Sequence, residues 1–162
     1  MHSDVHGTIR EAEPRDVPSI GALIRELALY ERAAEEAVAT DTQLREAFFG
    51  DHSNAHCHVV DVDGEVEGIA IWFLNFSTWL GTAGIYLEDL YVRTEHRGKK
   101  YGVELMRALA AICVENGYSR FQWSVLDWNT PSIDFYRSFG AKAMDEWTVF
   151  RLSDDALYSF AT

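Results

Sequence analysis

Two neighbouring stretches hold the residues best suited to chemistry. Residues 85–92 read IYLEDLYV, which sets the adjacent carboxylates Glu88 and Asp89 inside an aromatic and aliphatic run. Shortly after comes Arg97-Gly98-Lys99-Lys100-Tyr101-Gly102, a basic turn containing two glycines. A carboxylate held near a protonated group can act as its general base, and an ammonium group is the case that needs such help most. That help matters, because a primary amine near pKa 10.4 is about 99.9% protonated at neutral pH. A glycine-containing turn at a helix start directs free N–H groups and the positive dipole end outward, which suits a pyrophosphate. His52, His56, Cys57 and His58 are a third cluster, with His56 and His58 on one strand face. Their spacing fits no structural zinc pattern and no second Cys/His pair follows, so no metal is expected. Cys57 and Cys113 lack the surroundings of a nucleophile with its base, which argues against a covalent acyl-enzyme. Cys113 falls on an apolar helix face and reads as packing.

These groups need elements to position them. Residues 8–12 read as a first strand, and Asp16 as the N-cap of a helix with Val17, Ile20, Ile24 and Leu27 at helical spacing. Thr40 or Asp41 caps a second helix through Phe49, ended by Gly50. Strands 58–62 and 65–73 flank Asp63-Gly64, a dipeptide suited to a two-residue hairpin turn. Residues 85–92 form another strand, on which Glu88 and Asp89 should face opposite sides. A helix over 101–115 buries Leu105, Leu109 and Ile112 and closes at Asn116-Gly117. Residues 121–125 alternate like a strand, and Thr130-Pro131 opens a helix that Gly140 stops. Residues 147–152 read as a last strand and 154–160 as a terminal helix. The order β-α-α-β-β-β-α-β-α-β implies an α/β protein with a mixed sheet.

The chain has 162 residues, 48% hydrophobic and 25% charged, which suits one soluble domain over 1–162. A formal charge of −12 weighs against a nucleic-acid partner and leaves cationic small molecules open, while plain solubility explains it equally well. No apolar run approaches a membrane span, and residues 1–10 lack a hydrophobic signal core. With two isolated cysteines, a reduced cytoplasmic protein is the default expectation.

A resemblance makes the reading sharper. The turn Arg97-Gly98-x-x-x-Gly102 follows Leu87-Glu88-Asp89-Leu90-Tyr91-Val92 and precedes Asn129-Thr130-Pro131-Ser132-Ile133-Asp134-Phe135-Tyr136. With Leu27-Ala28-Leu29-Tyr30-Glu31, Trp79 and Asp145-Glu146-Trp147, this order resembles the GCN5-related N-acetyltransferase (GNAT) superfamily, particularly its spermidine/spermine (diamine) acetyltransferase branch. The resemblance runs from Ile9 to about Leu152. It implies a mostly antiparallel sheet of six to seven strands flanked by helices, with the two central strands splayed apart. Acetyl-CoA, released as CoA, would lie on Leu90, Tyr91 and Val92, on the turn Arg97, Gly98, Lys99, Lys100, Tyr101 and Gly102, and near Asn129 and Ser132. Tyr136 would also touch the coenzyme and protonate the departing thiolate. Glu88 would be the base, and Tyr30, Glu31, Trp79, Glu88, Asp89, Asp145 and Trp147 would face the amine. The resemblance further implies a small-molecule amine as substrate, direct attack through a ternary complex, and a homodimer.

One departure is visible: Lys100 stands where the family turn has its middle glycine. If that position needs a positive φ, a lysine there costs about 1 kcal/mol, and pairing of its ammonium with phosphate offsets part of it. Two other readings remain beside the polyamine one. A lysine-like amino acid such as thialysine would bring a carboxylate that calls for an Arg or Lys partner. A catalytically weak CoA-binding or sensing module would bind without turnover. For Glu88 a solvated edge charge, and for Tyr136 a core role on its helix, are the bland alternatives.

Overall fold

A computed structural model describes residues 6–162. The expectation of no signal sequence in residues 1–10 therefore lies partly outside the described residues. Two compact units make up the chain, Met1–Ser124 and Val125–Thr162.

The first unit holds a five-stranded sheet in sequential order: β1 (Thr8–Glu11), β2 (His56–Val62), β3 (Glu65–Ser77), β4 (Thr82–Val92) and β5 (Phe121–Trp123). The first four strands pair antiparallel and β5 joins β4 in parallel. The β2–β3 turn forms as its dipeptide dictates. Asp63 and Gly64 have φ of 53° and 86°, and the Gly64 N–H donates to the Asp61 carboxylate at 2.8 Å. Helix α1 (Val17–Tyr30) packs Ile20, Leu23 and Leu27 on the sheet face that carries Cys57, Val59, Ile69, Ile71 and Tyr91. Helix α2 (Asp41–Phe49) begins at Thr40, whose hydroxyl accepts from the Gln43 N–H at 3.2 Å while the Gln43 side chain accepts from the Thr40 N–H. Helix α3 (Tyr101–Asn116) supplies the β4-to-β5 crossover and ends with Gly117 at φ 70°. It packs on the other sheet face, where the buried Tyr101 hydroxyl accepts from the Gly7 N–H at 2.8 Å beside Val62.

Asp16 differs from its expected role. Its side chain does not cap α1 but sits at the end of the 3-10 turn Pro14–Asp16, accepting from the Glu13 N–H at 2.7 Å and from Arg10 at 2.7 and 3.1 Å. The competing arginine explains why: it offers charged donors where the helix offers neutral N–H groups.

The second unit holds α4 (Thr130–Ser138) and α5 (Asp154–Ala161). Asn129 caps α4, its side chain accepting from the Ser132 N–H at 3.4 Å, with Pro131 in the first turn. The last strand expected over 147–152 is not formed, and among the described residues the sheet has five strands rather than six or seven. Residues 147–152 are rich in apolar and aromatic side chains but have no ladder partner among the described residues, and Val149 and Phe150 are 83% and 91% exposed. Apolar and aromatic content describes a chain suited to a sheet, whereas the strand itself requires a neighbour.

Candidate active site

The site begins with an irregularity in β4. Asp89 pairs with Ile71 and Leu87 pairs with Trp72, which leaves Glu88 as an extra residue. In a regular strand Leu87 and Asp89 would share a face, yet here they oppose consecutive residues of β3. Asp89 is thereby turned to the α1 side with Ile71 and Tyr91. This bulge removes the alternation behind the expectation that Glu88 and Asp89 face opposite sides. The charge of Glu88 instead bears on both Asp89 and Glu31, the C-cap of α1, and the charge of Glu31 bears on Asp89.

The electrostatic consequence is large. Burial, then the charges of Glu88 and Glu31, push the Asp89 carboxyl up to about 7. Burial and the charge of Glu88 also raise Glu31. Glu31 has a further handicap, because the end of α1 carries the negative pole of the helix dipole. Anions gathered at an anionic pole make a place that a cation would relieve.

Beyond Leu87 the second edge of β4 is open within its unit. Strand β5 pairs only with Ile85, Tyr86 and Leu87, so Glu88 through Val92 have β3 on one side and no β5 on the other. Leu90, Tyr91 and Val92 lie on this stretch. Arg93 then anchors the exit of β4 by reaching Glu26 of α1 at 3.0 Å and Glu67 of β3 at 3.3 Å.

After the 3-10 turn Thr94–His96 comes the basic turn, with Gly98 at φ 85° and Lys100 at φ 68°, ψ 15°. Lys100 therefore occupies the left-handed region its family position implies, at a cost of about 1 kcal/mol relative to glycine. No side chain caps α3, so its first N–H groups remain for an anion, with Lys99 and Lys100 exposed beside them. The Tyr101 side chain is turned into the core, so of this residue only the backbone faces the turn's chemistry. Arg97 folds back: its Nε donates to the Val92 carbonyl at 3.1 Å, and its guanidinium lies 5.4 Å from the Tyr30 ring and 5.7 Å from the Tyr91 ring.

Tyr30, Glu31, Glu88 and Asp89 are thus brought together with the start of the basic turn. Trp79 is not. It sits 82% exposed at the β3–β4 hairpin tip, and the length of β4 from Thr82 to Glu88 alone is roughly 20 Å. In the second unit, Tyr136 is half-buried on α4, its ring centroid 5.4 Å from Phe135 and 6.3 Å from Phe139. Asn129 is buried, and Asp145 and Trp147 are exposed in and beside a turn. The histidines of β2 have a use that sequence reasoning missed. The Trp72 Nε1–H donates to His58 Nδ1 at 3.0 Å, and His56 stacks on Trp72 at 4.4 Å. Burial, helped by His56 and opposed by Glu11, lowers the His58 pKa, in keeping with a neutral ring accepting at Nδ1. The available signal was a polar residue amid consecutive apolar ones, with an indole on the adjoining strand.

Residues 22–141 match the model of the acetyltransferase (GNAT) family. The chain belongs to that family. It is accordingly an acetyl-CoA-dependent N-acetyltransferase, and its sheet is a GNAT sheet of five strands. A thialysine N-epsilon-acetyltransferase of Sus scrofa is 35% identical, with 94% of this chain and 96% of that protein covered. A spermidine/spermine N(1)-acetyltransferase-like protein 1 of Homo sapiens is 30% identical over 94% of this chain but only 23% of its own length. In fold, the chain is similar to an integron cassette protein from the mobile metagenome of V. cholerae, with a TM-score of 0.82 at 24% identity, covering 96% and 98% of the two chains. The GNAT family uses acetyl-CoA, and the residues here fit that molecule. The open β4 edge offers backbone groups to an amide-bearing arm, and the uncapped α3 start with its basic side chains suits a pyrophosphate.

Proposed function

We propose that this GNAT acetyltransferase acts on a small amine bearing more than one positive charge, a polyamine or diamine. The observation that carries the reading is the gathering of Glu31, Glu88 and Asp89 by the β4 bulge and the end of α1. A distal ammonium would neutralise the cluster, while a nearer amine would give its proton to Glu88 and attack directly. Acetyl-CoA would supply the activated acyl group, held along Leu90–Val92 and the 97–102 turn, and the resemblance adds Asn129 and Ser132 to the residues that would touch it. Tyr136 would donate its phenolic proton to the departing thiolate. Trp79, Asp145 and Trp147 are carried into the substrate site by the resemblance. The resemblance also supports a homodimer, while the two isolated cysteines support a cytoplasmic location and the chain length supports one domain over 1–162.

A second reading, a lysine-like amino acid, is supported by the thialysine enzyme at 35% identity. Its carboxylate would have to be received beside the acidic cluster, which is why the diamine reading is preferred. Thiol release from acetyl-CoA with a panel of spermidine, a short diamine, thialysine, ornithine and a monoamine separates the two. The expected order places polyamine or diamine first, with kcat/KM at least about tenfold above the amino acids, a difference of about 1.4 kcal/mol. Turnover confined to thialysine and ornithine would establish the second reading, and coenzyme binding without thiol release would favour a sensing module.

A further inference from the structure

Tyr30 was expected to line the amine pocket, and the structure gives its ring a different neighbour. The Arg97 guanidinium lies 5.4 Å from the Tyr30 centroid and 5.7 Å from that of Tyr91, both within cation–π range. Its Nε–H is committed to the Val92 carbonyl at 3.1 Å. Three elements thus converge on one side chain: the end of α1 through Tyr30, the end of β4 through Tyr91 and Val92, and the basic turn through Arg97 itself. Contacts with ring faces leave the guanidinium's in-plane edge for hydrogen bonds, and only one of its N–H groups is spent on Val92. An arginine at the mouth of a phosphate turn ordinarily loses side-chain freedom when it takes an anion. Here that cost is met in advance.

Resting on the acetyl-CoA reading of the 97–102 turn, we propose that Tyr30 and Tyr91 form a two-ring shelf that pre-positions Arg97 for the coenzyme's phosphates. Tyr30 is then a positioning residue for coenzyme affinity rather than a wall of the amine pocket. Tyr91 is buried against α1 and its removal would disturb the core, whereas Tyr30 is partly exposed and can be changed without that penalty.

The test is calorimetric titration of CoA into the full chain, together with the amine KM at saturating acetyl-CoA. Tyr30→Leu should raise the CoA Kd about two- to fivefold, the value of one such contact, and leave the amine KM in place. Tyr30→Phe, which keeps the ring, should restore wild-type affinity. In an Arg97→Gln background, Tyr30→Leu should cause no further loss, because the two changes remove the same interaction. A raised amine KM with unchanged CoA affinity would overturn the inference, as would an undiminished effect of Tyr30→Leu in the Arg97→Gln chain. Wild-type protein that gives no heat with CoA would overturn the proposed function, and the shelf with it, before any variant is made.

Discussion

The two ends of helix α1 hold carboxylates in opposite circumstances. At its start, Asp16 is 4% exposed, and burial alone would raise its pKa. The hydrogen bonds from Arg10 and the Glu13 N–H outweigh that and hold it below the usual carboxylate range. Asp61 joins from β2, its Oδ2 accepting from Arg10 Nε at 3.0 Å, and is lowered for the same reason. At the other end, Glu31 and Asp89 are raised by burial and by like charges. One group brings its cation with it from β1; the other has only carboxylates among the charges that shift it. The first arrangement serves the fold, and the second leaves free energy to be recovered when a cation arrives. A protein selected for stability alone would hold no such cluster, so its presence beside the open edge of β4 marks function.

The widest separation between the two ends should appear in turnover. Glu88→Gln is expected to lower kcat by roughly 10²- to 10⁴-fold, the range of a lost general base, with Tm not lowered, because Glu88 is exposed and its charge opposes Asp89 and Glu31. The acidic limb of the pH–rate profile should flatten with it. Asp16→Asn should do the reverse and leave kcat within about twofold while Tm falls. Equal kinetic losses in the two variants would break the contrast.

Stability against pH gives the next largest difference, and its sign differs between the ends. Asp16 binds its proton less tightly when folded, so its contribution is present above the ordinary aspartate pKa and is lost as pH falls through the folded value. Replacing it with Asn should cost roughly 2–3 kcal/mol at pH 7, since Arg10 loses the more buried of its two carboxylate partners. Asp89 binds its proton more tightly when folded. Its stability is full below the ordinary value of 3.8 and is lost as pH rises through about 7. Asp89→Asn should therefore stabilise the protein by roughly 2–4 kcal/mol at pH 8, with the gain vanishing near pH 4. Thermal melts of both variants across pH 4–8 would show the opposed trends. Destabilisation by Asp89→Asn at pH 8 would mean that a cation already serves the cluster.

The sequence made local features more legible than those set by pairing between distant segments, and for a physical reason. Local signals are carried by residues close in the chain: Asp63-Gly64 sets a hairpin, Thr40 with Gln43 closes a capping box, and Asn129 with Pro131 starts α4. The basic turn was readable as a turn, whereas the positive φ of Lys100 was posed in sequence only as a condition and is fixed by the structure. The bulge at Glu88 was not, because it belongs to the pairing of β4 with β3 rather than to either strand. Alternation over LED argued for opposite faces, and pairing decided otherwise. Residues 147–152 failed in the same way, a pattern without a neighbour. The fold-back of Arg97 onto Tyr30 joins residues far apart in sequence, so it leaves no local trace.

The smallest effect is expected at Glu31, and it tests whether the helix itself contributes to the contrast. As C-cap of α1, Glu31 places an anion at the negative pole of the dipole, and Glu88 adds to the repulsion. Glu31→Gln should stabilise the protein by about 0.5–1 kcal/mol at pH 8 and low ionic strength. Because the gain is electrostatic and the site partly open, about 1 M salt should remove most of it. The same change should draw the Asp89 pKa downward, since Glu31 is one of the charges that raise it. It should also weaken binding of a multiply charged amine, because one of its counter-charges is gone. Stability and substrate affinity would then move in opposite directions from a single replacement. Destabilisation by Glu31→Gln, insensitive to salt, would show that Glu31 is held by a local hydrogen bond and would remove the dipole from the comparison.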